Sequence, residues 1–337
     1  MAGSPSVAST RDTVVIGCSA GGVDALPRVL QQLPRSLDAA ILIVQHMAAT
    51  SPQHLVGILG RTAQLPVAWA EQGAPIEPGR VLVGPPDVHL MLQDDHVLLA
   101  RTARENHSRP SIDKLFRSAA AVRGSRVIGA LLTGMLDDGV AGLCAIRDAG
   151  GIVIVQDPLD AAFPDLPAHA VRALVPDQTL PIDAIGSAIV ELAGAPVEAL
   201  PIPSDLALEA ALDREGVVEP DRLSALGPQS IIACPECRGP MWQVGDEQVR
   251  RFRCYLGHAT TAQELLISSA AEVESALWSA VRALNDRAAT LETLASDATR
   301  AGSALIAVTY ASRAQETRAQ ADLARKFMLE LGRRTRA

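Results

Sequence analysis

The sequence is poor in aromatic residues, in basic charge and in long apolar runs, and each shortage excludes a class of protein. Phe, Tyr and Trp make up 3% of the 337 residues, which disfavours stacking platforms for single-stranded nucleic acid. Acidic residues outnumber basic ones by 38 to 30, and the net charge of −8 predicts no nucleic-acid partner. No apolar run approaches the roughly 18 residues that a membrane-spanning helix needs, so we predict no membrane insertion.

The cysteines and the N-terminal residues predict the compartment. Residues 1–11 hold no basic run followed by an apolar core, so we expect no secretion signal and a cytoplasmic location. The chain has five cysteines, of which Cys18 and Cys144 stand alone in apolar surroundings while the other three fall between 234 and 254. This odd, clustered distribution favours reduced thiols and a metal site over disulfides.

Short β-branched runs alternate with helical patterns between residues 13 and 194. The predicted strands are 13–17, 40–45, 66–69, 126–133 and 151–156. Such alternation predicts an α/β fold with a doubly wound, mostly parallel sheet covered on both faces. Residues 81–84, 88–92 and 96–100 are predicted to form an antiparallel piece, whose last two strands make a hairpin at the sheet edge.

Changes in composition divide the chain into five parts. We expect a disordered tail (1–12), a catalytic domain (13–194), a Pro- and acid-rich linker with one short helix (195–230), a Cys/His module (231–261) and an α-helical hairpin or coiled coil (262–337). The helical prediction rests on an apolar stripe with three- and four-residue steps: Leu277, Val281, Leu284, Ala288, Leu291 and Ala295. We expect this last region to dock a protein or to mediate dimerisation.

The pattern Gly-x-Ser-x-Gly around Ser19 follows a predicted strand and precedes a predicted helix. Glycines on both sides permit a sharp turn that lifts the Ser19 hydroxyl out of the sheet edge, as an acyl-transfer nucleophile requires. The helix N-terminus offers backbone N–H groups to an oxyanion, and because Ala20 follows the serine, these backbone groups are the expected donors there. A plain turn and a nucleotide-phosphate loop are alternatives, although the Walker lysine of a phosphate loop is missing.

Candidates for the base and the acid follow two other predicted strands. His46 ends strand 40–45, at the carboxyl edge where open α/β sheets bind ligands. Asp137 and Asp138 follow strand 126–133, and either carboxylate is suited to orient the imidazole or, alternatively, to cap the next helix. The chain order Ser, His, Asp differs from the order Ser, Asp, His of α/β-hydrolases, which disfavours that family.

Four segments together resemble the catalytic domain of the chemotaxis-receptor methylesterases, the CheB family. In chain order they are Gly-Cys-Ser-Ala-Gly-Gly (17–22), Val-Gln-His-Met (44–47), Arg-Pro-Ser-Ile-Asp (109–113) and Thr-Gly-Met-Leu-Asp-Asp-Gly (133–139). The resemblance implies Ser19 as the nucleophile, His46 as general base and acid, and Asp138 as the third member of the triad. It also implies that the backbone N–H of Met135 helps to bind the oxyanion and that Arg109 contacts the substrate.

The activity implied by this resemblance is hydrolysis of glutamyl methyl esters, with glutamine deamidation as a related reaction. The implied partner is a methyl-accepting chemoreceptor or a similar helical signalling protein, and catalysis is implied to need no cofactor. Two residues depart from the family: Ala20 replaces a small hydroxylated residue, and His107 stands two residues before Arg109 instead of next to it. Because about a dozen residues precede the first predicted strand, we also expect the family's usual receiver domain to be missing. A non-catalytic scaffold in a signalling complex is therefore the alternative function.

A second group of residues has the spacing of a metal site. Cys234 and Cys237 form a Cys-x-x-Cys pair, and after sixteen intervening residues Cys254 and His258 form a Cys-x-x-x-His pair. Two such pairs can bind one tetrahedral Zn²⁺, and four protein ligands close the site, as in structural zinc-ribbon-like modules. The alternative is three ordinary buried cysteines beside an incidental histidine.

Overall fold

The computed structural model describes residues 9–51, 53–245 and 249–334. The chain divides into two compact units, Met1–Glu264 and Leu265–Ala337. In the described part of the chain, no helix combines the length and the apolar character that crossing a membrane requires.

Strands and short helices alternate through most of the chain, and two long helices follow them. The strands are β1 (Ser9–Thr10), β2 (Thr13–Cys18), β3 (Ala40–Gln45), β4 (Val67–Trp69), β5 (Val81–Val83), β6 (His89–Gln93), β7 (His96–Ala100), β8 (Val127–Leu131), β9 (Ile152–Gln156), β10 (Gln178–Leu180), β11 (Pro196–Val197), β12 (Gln229–Ala233), β13 (Pro240–Val244), β14 (Arg251–Cys254) and β15 (Ala259–Thr261). The helices are α1 (Gly22–Leu30), α2 (Leu55–Leu59), α3 (Ile112–Arg123), α4 (Val140–Asp148), α5 (Asp165–Ala173), α6 (Ile182–Leu192), α7 (Ser204–Glu215), α8 (Pro220–Ser224), α9 (Ala262–Arg300) and α10 (Ala304–Arg334).

A seven-stranded parallel sheet in the order β10-β9-β8-β2-β3-β5-β4 forms the centre of the first unit. Successive residues of β2 face opposite sides: Val14 and Ile16 join the apolar cluster of α1 and α6, whereas Val15 joins that of α3, α4 and α5. Burial on both faces explains why the strands read as continuous apolar runs. The predicted doubly wound α/β fold is confirmed.

The predicted hairpin is present but lies elsewhere. β5 belongs to the parallel sheet, between β3 and β4, whereas β6 and β7 form a separate two-stranded antiparallel sheet. The prediction of a hairpin at the sheet edge is therefore wrong. Leu90 and Leu92 of the hairpin share an apolar cluster with α3, and the Leu92 backbone N–H donates to Ser118 Oγ at 3.1 Å. Because the hairpin packs on α3, these side chains are buried. At the edge of the parallel sheet they would be half exposed.

The segment predicted as a linker is folded. β11 pairs with β1, and α7 and α8 contribute Leu212 and Leu223 to a small apolar core that also contains Trp242 of β13. Because β1 covers residues 9 and 10, the expected tail does not include them, and residues 1–8 lie outside the described residues. The antiparallel sheet β12-β13-β14-β15 thus shares a core with residues 204–224.

The second unit contains two long helices that meet at a turn on Gly302, which has a φ of +75°. Buried side chains recur seven residues apart in each helix, at Val281 and Ala288 and at Ala314, Ala321 and Met328. Arg318 Nε of α10 lies 2.6 Å from Glu292 Oε1 of α9, which fixes the helices as antiparallel neighbours. The heptad spacing is typical of a coiled-coil hairpin.

Candidate active site

Ser19 sits on a tight turn between β2 and α1. Gly21 adopts a φ of +79°, a left-handed conformation that favours glycine, and it caps the N-terminus of α1. A Cβ at Gly22 would lie 1.9 Å from Gln45 Oε1, so this position also has no room for a side chain. The Ser19 N–H donates to Thr133 O at 3.0 Å, which ties the turn to the loop after β8.

His46 directly follows β3, and its ring contacts both of the other candidate catalytic side chains. The parallel register pairs Cys18 with Gln45, so Ser19 and His46 leave the sheet side by side. Nδ1 of His46 lies 3.1 Å from Ser19 Oγ, and Nε2 lies 2.7 Å from Asp138 Oδ2. With the proton on Nε2, the ring donates to the carboxylate and accepts from the hydroxyl.

Asp138 is almost completely buried and is a strong hydrogen-bond acceptor. Besides His46, it accepts hydrogen bonds from the Ile112 N–H at 2.7 Å, Ser111 Oγ at 2.9 Å and Asn106 Nδ2 at 3.0 Å. Burial raises the pKa of Asp138, but the hydrogen bonds from His46, Ile112 and Asn106 outweigh it and hold the pKa below its usual range. The carboxylate is therefore held ionised against the imidazole.

Of the two aspartates that the spacing left open, the structure places Asp138, and not Asp137, against His46. Asp137 Oδ1 is buried without a hydrogen-bond partner among the described residues, and burial raises the pKa of this group. A second buried carboxylate, Asp113, accepts from the Gly142 N–H at 2.7 Å and from Asn106 Nδ2 at 3.1 Å. Burial, with the nearby charge of Asp138, raises the pKa of Asp113 well above its usual range.

Gln45 joins the serine turn to the histidine loop. Its Nε2 donates to Ser19 O at 2.8 Å and to His46 O at 2.9 Å, and its Oε1 accepts from Cys18 Sγ at 3.1 Å. No role of Gln45 was predicted from the sequence. The available signal was a polar residue at the buried end of an apolar strand, next to the candidate base.

The predicted oxyanion donors lie on the Ser19 turn, at Ala20, and on the loop after β8, at Met135. The backbone N–H groups of Ala20 and Met135 have no acceptor among the described residues, so both are available to a ligand. Gly134 permits the close approach of the second loop, since a Cβ there would lie 2.9 Å from Ser19 Cβ. Backbone N–H groups beside a nucleophile are the usual donors to a tetrahedral oxyanion.

Arg109 binds protein groups. Its guanidinium lies 2.6 Å from Asp87 Oδ1 and donates to Thr102 O at 2.9 Å, and its side chain is 15% exposed. The guanidinium is therefore already engaged by Asp87 and Thr102, which disfavours the predicted contact of Arg109 with the substrate. The polar side chain of this segment that reaches the catalytic groups is Asn106, which sequence analysis did not single out.

A buried network of charges joins three parts of the first unit. It comprises Glu105, Lys114, Arg117, Glu209, Asp213, Arg251 and Arg253, all at most 6% exposed. Arg117 lies 2.6 Å from Glu105 and 2.7 Å from Asp213, while Arg253 also pairs with Asp213. This network was not predicted from the sequence, where its signal was an acidic pair four residues apart on α7 and two arginines on one side of β14.

The four predicted metal ligands are close together. The ligand atoms of Cys234, Cys237, Cys254 and His258 all lie within 4.8 Å of one another. Cys237 Sγ is 3.7 Å from Cys254 Sγ, which matches the separation of about 3.8 Å that zinc–sulfur bonds of about 2.3 Å give in a tetrahedron. The donor set and its spacing fit one zinc ion.

Known proteins resemble the parallel-sheet part of the chain. The protein-family model described as CheB methylesterase matches residues 14–189. A protein of Leptospira interrogans, named as a protein-glutamate methylesterase/protein-glutamine glutaminase, is 37% identical over 182 residues, which are 54% of this chain and 94% of that protein. A protein of Anaeromyxobacter dehalogenans with the same activities in its name is 40% identical, and the match spans 56% of this chain but only 55% of that protein.

A solved structure shows the same fold. The crystal structure of the Thermotoga maritima CheB methylesterase catalytic domain aligns with a TM-score of 0.52 at 32% identity. The alignment covers all of that domain and 55% of this chain.

Proposed function

The chain belongs to the CheB methylesterase family, and from this premise we propose that it hydrolyses glutamyl methyl esters of a chemoreceptor-like protein with Ser19, His46 and Asp138. The observation that carries the proposal is the chain of contacts from Ser19 Oγ through the His46 ring to Asp138, at 3.1 and 2.7 Å. The names of the relatives support this reading over a non-catalytic scaffold.

The geometry supports a two-step acyl transfer. Ser19 Oγ attacks the ester carbonyl while His46 Nδ1 takes its proton, and the Ala20 and Met135 N–H groups face the developing oxyanion. His46 then gives the proton to the departing methoxide, which leaves as methanol. Water deprotonated by His46 cleaves the acyl-enzyme, and the products are a free glutamate carboxylate and the restored Ser19 hydroxyl. Every step uses this chain's own residues.

Asp138 assists through the far nitrogen of the same ring. Its carboxylate accepts a hydrogen bond from the His46 Nε2–H throughout, which fixes the tautomer and stabilises the imidazolium after Nδ1 is protonated. In a trypsin-type triad, Nε2 faces serine and Nδ1 faces aspartate, so the ring of His46 is used in the opposite sense.

Exposed apolar side chains on the loops around Ser19 suit a protein substrate. Met135 is 50%, Leu136 is 40% and Phe163 is 41% exposed. Apolar residues exposed beside a nucleophile are typical of a surface that a partner covers. We therefore place the substrate-docking surface on these loops.

The experiment is methanol release from a chemoreceptor fragment that carries methylated glutamates. We expect the purified chain to release methanol from this fragment and none from the unmethylated fragment, because an ester bond is required. A fragment with glutamine at the same positions tests deamidation through ammonia release. Absence of methanol release from several methylated receptors would contradict the proposed substrate class.

We also propose that Cys234, Cys237, Cys254 and His258 hold a structural zinc ion. Four protein ligands leave no open coordination position, so the ion would cross-link two turns of the β12–β15 sheet and take no part in catalysis. Such a small module gains much of its folding free energy from the metal.

Elemental analysis should find about one zinc per chain, the expectation for a closed four-ligand site. Cys234→Ser should lower the zinc content and the unfolding temperature of the module, whereas Cys144→Ser, which changes a cysteine outside the cluster, should leave zinc bound. A zinc-free chain whose β12–β15 sheet is intact would contradict the assignment.

Two further proposals concern the cellular location and the oligomeric state. Free thiols in the described part of the chain suit the reducing cytoplasm, where we propose that the protein acts. Dimerisation through α9 and α10 stays a prediction, tested by sedimentation of the full chain.

A further inference from the structure

The segment from Arg104 to His107 lies between the candidate catalytic acid and the Cys/His module. On one side, Asn106 Nδ2 donates to Asp138 Oδ1 at 3.0 Å and to Asp113 Oδ2 at 3.1 Å. Asn106 is 5% exposed, so water does not replace these bonds easily. The Asn106 amide is the bridge between the two buried carboxylates.

The other side of Asn106 is held by β15, directly after the proposed zinc ligand His258. The Asn106 backbone N–H donates to Ala259 O at 2.9 Å, and Asn106 Oδ1 accepts from the Thr261 N–H at 3.1 Å. The neighbouring His107 Nδ1 lies 2.8 Å from Glu236 Oε1, between the first two cysteine ligands in sequence. The backbone and amide oxygen of Asn106 are therefore both anchored to the Cys/His module.

Asn106 and His107 adopt left-handed backbone conformations, with φ of +48° and +59°. Residues other than glycine adopt this region at a cost, with asparagine among the most tolerant. The Ser108 N–H donates to Glu105 O at 2.9 Å and closes the turn around both residues, while the contacts to β15 fix where the Asn106 amide lies. Release of β15 would leave this turn free to move as a unit, which would withdraw the Asn106 amide from Asp138.

We propose that Asn106 is a positioning residue that couples zinc binding in the Cys/His module to the orientation of Asp138. With zinc bound, His258 fixes β15, β15 fixes Asn106, and Asn106 holds Asp138 toward His46. With zinc removed, this support is lost and the Ser19–His46–Asp138 chain loosens. The inference rests on the proposed function for the role of Ser19 and on the proposed zinc site.

The test compares the wild-type chain with Asn106→Gly, each loaded with zinc and after zinc removal by a chelator. Glycine removes the amide but tolerates the left-handed backbone. One readout is the rate at which a fluorophosphonate labels Ser19, which needs no knowledge of the natural substrate. The other is the downfield proton NMR signal of the His46 Nε2–H bonded to Asp138.

Zinc removal should slow labelling of the wild type about tenfold and weaken the NMR signal. Zinc-loaded Asn106→Gly should retain its zinc yet already label about tenfold more slowly, and zinc removal should change it less than about twofold further. Asn285→Gly, the same exchange at the chain's other asparagine, should behave as wild type. If Asn106→Gly does not fold, Asn106→Ala also removes the donor to Asp138, and it should show the same loss.

Equal slowing of wild type and Asn106→Gly on zinc removal would overturn the coupling through Asn106, as would a wild type that is insensitive to zinc. A wild type that folds, binds zinc and is not labelled at Ser19 would instead refute the proposed nucleophile. In that case the His46 Nε2–H signal alone tests the coupling between the zinc site and Asp138. The coupling is refuted if zinc removal leaves this signal unchanged.

Discussion

Ser19→Ala is expected to lower the rate of ester hydrolysis by about 10⁶-fold, the size of loss found when a nucleophile that acts with a histidine is removed. The reason is geometric: His46 Nδ1 has no other hydroxyl within hydrogen-bond distance among the described residues, so no side chain replaces Ser19 Oγ. The measurement is methanol release at saturating methylated receptor fragment. Since alanine only removes a half-buried hydroxyl, the unfolding temperature should stay close to that of the wild type.

The matched control for this exchange is Ser187→Ala. Ser187 is exposed on α6, where its hydroxyl lies 3.3 Å from Gln32 Oε1. Its loss should leave hydrolysis unchanged. If Ser19→Ala retained activity comparable to Ser187→Ala, Ser19 would not be the nucleophile.

Asp213→Ala is expected to destabilise the first unit by about 3–5 kcal/mol, because removing one partner leaves buried charges without compensation. Asp213 pairs with Arg117 at 2.7 Å and with Arg253, and Lys114 Nζ lies 3.9 Å away. Without Asp213, these three cations share only Glu105 and Glu209 as buried anionic neighbours in the described network. Denaturant unfolding measures the loss, and Asp205→Ala on the same helix should cost less than about 1 kcal/mol, since Asp205 is exposed.

The same network predicts that the wild type loses stability in acid. Burial raises the pKa of Glu209, but the charges of Arg117 and Arg251 outweigh it and lower the pKa from 4.5 to about 2. The pKa of Asp213 is likewise held well below its usual range, because Arg117, Arg253 and Lys114 outweigh burial. A carboxylate whose pKa is lower in the folded than in the unfolded chain stabilises the fold at every pH above its unfolded-state pKa. This stabilisation is lost as the pH falls from about 4.5 toward 2.

Asp213→Ala also tests the acid sensitivity. The variant lacks one of the carboxylates with a depressed pKa, so its unfolding free energy should fall less steeply with acid than that of the wild type. An unfolding free energy that is equal for both proteins at neutral pH would show that Asp213 contributes nothing measurable.

Several features of the fold and the candidate site follow from local sequence. Continuous apolar strands give the doubly wound sheet, and the parallel arrangement brings the residues after β2, β3 and β8 to one edge, which predicts that Ser19, His46 and an aspartate meet. The Cys/His spacing predicts a four-ligand cluster. These predictions succeed because strand patterns, turns and ligand pairs involve residues that are close in the sequence.

Other features required the tertiary structure. Spacing alone left Asp137 and Asp138 equivalent, and the loop after β8 turns only Asp138 toward His46. The segment predicted as a linker forms α7, whose Asp213 pairs with a residue 96 positions earlier, and Asn106 meets the N–H of Thr261 across 155 positions. Such contacts have no local pattern, because they depend on how finished elements pack. The sequence therefore determined which elements and chemical groups this protein has, and packing decided which of those groups are buried together.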